Sequence, residues 1–295
     1  MTATHHHHCV IKDATWLQPL ADPPGGRVLC REYYLKLMSD SLSGVFEYGR
    51  GRNLFIAGKP GSGKTICAKH VLNGIRRRAD DAQIQLKTVY VNAGKTRTPY
   101  YTLVDIVRSL GIDVPDCGYQ VFRLKHTFER ALEKSALVIC LDEVDNLLLK
   151  QREPLIYYLN RQPKTTLILI SNRLRDAAKL PNRALSTLQP KLMILEPYTP
   201  EESKHILKDR IKRAFHPHTI KDRLLEEVAK VASEAEDIRL GFSILLTAGY
   251  LAEEQSQSEI TAENIHAAIK SEATIRHLQR MDELEHQLKT SQRNH

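Results

Sequence analysis

Apolar and polar residues follow one another along this chain in two regimes, and the change between them falls near Pro197. Before it, "NLFIAG", "LKTVYVNAG", "LVICLDEVDNLL" and "TTLILISN" each contain a short aliphatic run with β-branched members, the pattern of a strand buried on both faces. Helical periodicity fills the gaps. It links Tyr34, Leu35, Met38 and Leu42, and it recurs in "TICAKHVLNGIRRR", in "PYYTLVDIVRSLGI" ending at Gly111, and in "FRLKHTFERALEKS". Alternating strands and helices predict an α/β fold, a parallel sheet covered by helices on both faces. After Pro197, "PEESKHILKDRIKRAF", "KDRLLEEVAKVASEA", "IRLGFSILLTAGYLAEEQ" and "TAENIHAAIKSE" read as consecutive helices with no strand.

This pattern divides the chain into an irregular N-terminal segment (1–26), an α/β core (27–196), a small all-helical domain (197–270) and a C-terminal helical tail (271–295). In the first segment "PLADPPGG" blocks regular structure. The tail is apolar at Ile275, Leu278, Met281, Leu284 and Leu288 and too short for a stable coiled coil.

With 42% hydrophobic and 26% charged residues the composition is that of a soluble globular protein. No apolar run approaches the roughly 18 residues of a membrane span, and the N-terminus lacks a signal-peptide layout, so cytoplasmic residence is expected. The five cysteines are odd in number and show no CxxC spacing; they read as reduced thiols, at least two of them in apolar surroundings. His5 to His8 beside Cys9 form a terminal run outside the fold argument. Lys and Arg outnumber Asp and Glu by 43 to 35, a balance that admits a nucleic-acid partner without establishing one. No Ser-His-Asp set, nucleophilic cysteine or glycosidase-like carboxylate pair emerges.

The sharpest signal is Gly58-Lys59-Pro60-Gly61-Ser62-Gly63-Lys64-Thr65. It matches GxxxxGK[ST] at every fixed position and lies between a predicted strand and a predicted helix, the context the motif requires. Such glycines let backbone N–H groups converge on an anionic phosphate chain at a helix N-terminus. Lys64 is expected to reach the β- and γ-phosphates, Thr65 to give its hydroxyl to Mg²⁺, and Lys59 to face solvent.

The second requirement of a P-loop nucleotidase is an acid at the end of a neighbouring strand. Asp142, directly after "LVICL", fits the metal-holding role, and Glu143 is placed to polarise a water as general base. Asp145 reads as structural, a helix cap. Asn172 ends "LILIS" at the same edge, suited to orienting the attacking water or touching the γ-phosphate, with a turn-forming role as the plain alternative.

Two arginines have candidate tasks. Arg239, in the first turn of an apolar helix with Asp237 as its expected N-cap, opposes the helix dipole and calls for an anion, either Asp237 or a nucleotide phosphate. Arg183 is a candidate finger reaching a neighbouring subunit's γ-phosphate, with Arg173 and Arg175 as competitors.

Together "GKPGSGKT", "LVICLDEVDNLL", "LILISN", "PNRALSTL", "LEPYTPEES" and "EDIRLGFSILL" resemble the AAA+ ATPases. More closely, the chain resembles the archaeal origin-recognition and cell-division-control initiator family, over about residues 27–272. The resemblance implies an AAA+ P-loop core with a helical lid, in which Lys64 and Thr65 are Walker A, Asp142 and Glu143 Walker B, Asn172 sensor 1, Arg183 the finger and Arg239 sensor 2. Ile66 and Tyr198 join the expected nucleotide-binding set. ATP or ADP with Mg²⁺, slow ATP hydrolysis, DNA held mainly by its backbone, a replicative helicase, self-association through Arg183 and a nucleoid-associated location are likewise implied. The family's extra helical element after its second strand would fall within about residues 94–118, with Lys95 and Arg97 as DNA candidates.

Where the family's sensor 2 segment usually has Gly-Asp and a second basic residue, this chain reads "EDIRLG". The chain also stops about where the family's winged-helix domain would begin, so a truncated form, or a shortened branch acting through partners, is expected. Two other readings are an AAA+ matchmaker for transposition or plasmid maintenance, and a signalling nucleotidase that binds no DNA.

Overall fold

The computed structural model describes residues 9–19, 23, 26–115, 118–133, 135–147, 149–175 and 186–273, with the backbone alone at 149–153. The chain divides into two compact units, Arg31–Pro197 and a second formed by Met1–Cys30 together with Tyr198–His295. Arg183, the His5–His8 run and the tail beyond residue 273 lie outside the described residues.

The first unit opens with α1 (Glu32–Leu42), which buries Met38 and Leu42. Then follow β1 (Leu54–Ala57), α2 (Lys64–Asp81), β2 (Leu86–Asn92), α3 (Pro99–Ser109), α4 (Val121–Leu132), β3 (Ala136–Asp142), α5 (Leu149–Asn160), β4 (Thr165–Ser171) and β5 (Lys191–Ile194). The five strands are parallel, in the order β2-β3-β4-β1-β5. Every residue of β3 and β4 is buried, which is why their sequences run apolar without alternation. Phe55, Phe128, Ile139, Leu141, Leu167 and Leu169 form the heart of one apolar core, each stabilising by about 1.5–3 kcal/mol on burial.

Register sets the working edge of the sheet. Asn92 pairs with Asp142, and Ala57 with Ser171, so the ends of β1, β2, β3 and β4 finish together. Each strand thus delivers the residue that follows it to one side, the side where ligands of open parallel sheets gather. The start of α3 is fixed by Thr98, whose hydroxyl accepts from Tyr101 N–H at 3.3 Å, and by Pro99 in its first turn.

Two elements have no clear sequence signature. β5 is a short edge strand with Leu192 and Ile194 exposed, and α5 carries Pro154 inside the helix. Neither the strand nor the helix template picks them out.

The second unit is helical: α6 (Pro200–Ala214), α7 (Asp222–Glu234), α8 (Ile238–Glu254) and a further helix, α9, over residues 262–273. A full capping box starts α6, with Thr199 and Glu202 each bonding the other's backbone N–H. The N-terminal segment, which the sequence leaves as a separate irregular stretch, forms part of this unit. Ile11 bridges Phe215 in antiparallel fashion, Lys12 N–H donates to Ala214 O at 2.7 Å, and Glu253 accepts from Val10 and Ile11 N–H at 3.0 and 2.9 Å. In each of these hydrogen bonds the donor is a backbone N–H, which a side-chain pattern does not advertise. Among the described residues no helix is long and apolar enough to cross a membrane.

Candidate nucleotide site

The loop between β1 and α2 needs its glycines for two separate reasons. A Cβ on Gly58 would meet Leu195 O at 2.5 Å and Ser62 Oγ at 2.9 Å, so the backbone approach excludes any side chain there. Gly63 caps α2 with φ of 92°, a left-handed conformation that strains other residues. Lys64 is buried, and its ammonium donates to Gly58 O at 2.7 Å and Lys59 O at 2.8 Å. Lys59 and Pro60 are exposed, while Gly58, Gly61, Gly63, Thr65 and Ile66 are half-buried. Ser62 is fully buried, and its Oγ has no hydrogen-bond partner among the described residues.

Thr65 and Asp142 meet directly: Thr65 Oγ1 donates to Asp142 Oδ2 at 2.6 Å. Asp142 is 2% exposed, and its Oδ1 accepts from Glu143 N–H at 2.9 Å. Glu143 adopts a left-handed backbone, φ 55°, which for a side chain other than glycine costs energy that the site must hold. Its Oε2 accepts from Asn146 Nδ2 at 3.0 Å and rests against Gly94, where any Cβ would collide with it.

Asp145 is not the helix cap expected of it. The short 3-10 turn Val144–Asn146 begins at Glu143 without a side-chain cap, and Asp145 instead accepts from Asn172 N–H and Nδ2 at 3.3 and 3.4 Å. The turn after β3 is too short to need a side-chain cap, which leaves the carboxylate for the neighbouring strand end. The structure therefore brings Lys64, Thr65, Asp142, Glu143 and Asn172 to the ends of β1, β3 and β4.

Lys95 and Arg97 are exposed on and after a one-turn helix, Ala93–Thr96, that follows β2; its Gly94 is the residue against Glu143. In the helical unit, Arg239 is held by Asp237: Nε donates to Oδ1 and Nη2 to Oδ2, both at 2.9 Å, while Oδ1 also caps the helix through Arg239 N–H. Tyr198 is buried in the helical unit's apolar core, its carbonyl accepting from Ser233 Oγ at 2.9 Å.

Two residues of the site have no place in the sequence motifs. Tyr90 donates to Asp142 Oδ2 at 2.8 Å; the signal for it is a tyrosine two positions before Asn92, on the less buried face of β2. Arg31, 4% exposed, donates through Nε to Ser62 O at 3.1 Å and through Nη2 to Glu196 O at 2.7 Å. Buried thiols also flank the region. Burial pushes the Cys67 thiol up to about 12, and Cys140 rises well above its ordinary value for the same reason.

Residues 48–180 match the family described as AAA domain, and residues 204–270 the family described as Cdc6 AAA+ ATPase-type lid domain. The fold and the site define an AAA+ P-loop ATPase core followed by a helical lid. Within that class the chain resembles the archaeal ORC1/Cdc6-type replication initiators. The ORC1-type DNA replication protein 1 of Sulfurisphaera tokodaii is 32% identical over 247 residues, which is 81% of this chain and 61% of that protein. The ORC1-type DNA replication protein of Cenarchaeum symbiosum is 30% identical over 251 residues, 80% of this chain and 61% of the relative. The Aeropyrum pernix ORC1 protein, solved in complex with DNA, has a TM-score of 0.80 at 26% identity, over 89% of this chain and 70% of that one. The chain thus spans 61% of the length of these curated relatives.

Proposed function

We propose that the chain is an ATP-dependent switch that binds ATP or ADP with Mg²⁺, hydrolyses ATP slowly, contacts DNA mainly through its backbone and acts in replication initiation or helicase recruitment. The observation that carries this reading is the contact of Thr65 with Asp142 beside the phosphate loop, with Glu143 adjoining. A hydroxyl and one carboxylate are hard oxygen donors that suit Mg²⁺ and leave room for the waters it retains. When bound, Mg²⁺ supplies neutralisation of charge across the phosphates.

The chain's own residues account for the remaining work. Lys64 and the loop N–H groups gather the phosphate charge. Glu143, steadied by Asn146 on Oε2, takes the water proton as the water oxygen bonds to phosphorus and ADP leaves. Asn172 orients that water. Arg239 is the phosphate-sensing candidate, with Asp237 as the partner it would exchange. Self-association through Arg183 belongs to the same reading. For DNA, the support is the exposure of Lys95 and Arg97, together with relatives named as DNA replication proteins and the DNA in the Aeropyrum structure.

The test is Glu143→Gln, which keeps ATP binding and is expected to lower hydrolysis by about 10²–10⁴-fold. Wild-type turnover in that variant refutes the hydrolytic half. Absence of duplex DNA binding at low salt, with and without ATP, refutes the other.

A further inference from the structure

Tyr90 belongs to neither nucleotide motif, yet its hydroxyl reaches Asp142 Oδ2 at 2.8 Å. It stands on β2 opposite Cys140 of β3 and reaches two residues along the neighbouring strand. The donors around the carboxylate can be counted, since each carboxylate oxygen accepts about two hydrogen bonds. Oδ1 takes Glu143 N–H at 2.9 Å, while Oδ2 takes the Thr65 hydroxyl at 2.6 Å and the Tyr90 hydroxyl at 2.8 Å. Oδ2 is filled, and one acceptor position is left, on Oδ1. The phenol is itself steadied by the Lys69 ammonium, 4.9 Å from the ring centroid.

The geometry points to Tyr90 as a positioning residue for the metal site: by occupying Oδ2 beside Thr65, it fixes the Asp142 carboxylate so that Oδ1 is the oxygen offered to a metal-bound water. This inference rests on reading Thr65 and Asp142 as the Mg²⁺ site. Carboxylate torsions are broad and roughly two-fold, so a carboxylate deprived of one of its three donors samples more orientations. Partners that orient a metal-holding group in this way are commonly worth about 10–100-fold in metal affinity.

Tyr90→Phe removes the hydroxyl and keeps the ring. The readout is the Mg²⁺ concentration at half-saturation for binding of a fluorescent ATP analogue, measured alongside binding in EDTA. The expected result is a rise of about tenfold in the Mg²⁺ requirement, the low end for such a partner, with EDTA binding unchanged. In an Asp142→Asn background the same substitution has no further effect, because both changes act through one group. Lys69→Met, which takes the cation from the ring face and leaves the hydroxyl, gives a smaller rise. An unchanged requirement in Tyr90→Phe, equal effects in the two backgrounds, or a rise in Lys69→Met as large as that in Tyr90→Phe overturns the assignment. Nucleotide binding by the wild type that is indifferent to Mg²⁺ overturns the underlying metal reading instead.

Discussion

Asp145 accepts from both the backbone N–H and the side-chain amide of Asn172, at 3.3 and 3.4 Å, and so ties the turn after β3 to the end of β4. The Oδ1 of Asn172 is the atom this arrangement leaves for a water. Both bonds are long, so their joint worth is about 0.5–1.5 kcal/mol. Asp145→Ala is expected to lower ATP turnover by about three- to tenfold while nucleotide Kd stays nearly constant, as that energy implies. Parallel losses in turnover and affinity would assign Asp145 to loop stability.

Lys95 and Arg97 follow β2 and are exposed, and Arg97 has a φ of 56°. Replacing both with alanine is expected to weaken duplex binding evenly across sequences and to reduce the salt slope by about one for each phosphate no longer engaged. Fluorescence anisotropy at several salt concentrations measures both effects. A change in sequence preference with an unaltered slope would argue for base contacts.

Glu253 anchors the N-terminal segment by accepting from Val10 and Ile11 N–H. The chain has a single tryptophan, Trp16, in that segment, so its emission reports the helical unit selectively. Glu253→Ala is expected to cost about 1.5–3 kcal/mol, the range for hydrogen bonds to a charged acceptor, as a lower urea midpoint followed at Trp16. An unshifted midpoint would mean that Ile11 and Phe215 suffice to seat the segment.

The Cys67 thiol is raised by burial from 9.0 to about 12 in the folded state. A raised folded value contributes stability that is complete below the unfolded value and is lost as pH climbs toward the folded one. Near pH 10 this thiol alone costs on the order of 1 kcal/mol, with Cys140 acting in the same direction. Cys67→Ala is expected to flatten the fall of the denaturant midpoint above about pH 9, read in matched urea titrations across that window.

The parallel core was legible because β3 and β4 lie between other strands and must be apolar throughout. The placement of the phosphate loop after β1 and of Asp142 and Glu143 at the end of β3 was legible because the motif residues directly follow the apolar runs. β5 escaped notice because a short edge strand with exposed Leu192 and Ile194 carries neither continuous burial nor clean alternation. Asp145 was misread because its partner, Asn172, arrives from a different strand. Tyr90 and Arg31 were missed for the same reason: their roles are defined by atoms far away in the chain, Asp142 for one and the carbonyls of Ser62 and Glu196 for the other.

Arg31 is the first residue of the α/β unit, and Glu196 is the residue before its last. One guanidinium therefore pins the entry of that unit, its exit and its phosphate loop to each other. In chain topology the α/β unit is an insertion within the helical one, and an insertion whose ends are fastened together is a natural cassette. Grafts between relatives cut at Cys30/Arg31 and Pro197/Tyr198 carry this knot intact, whereas a cut between Arg31 and the first strand leaves the loop's anchor behind.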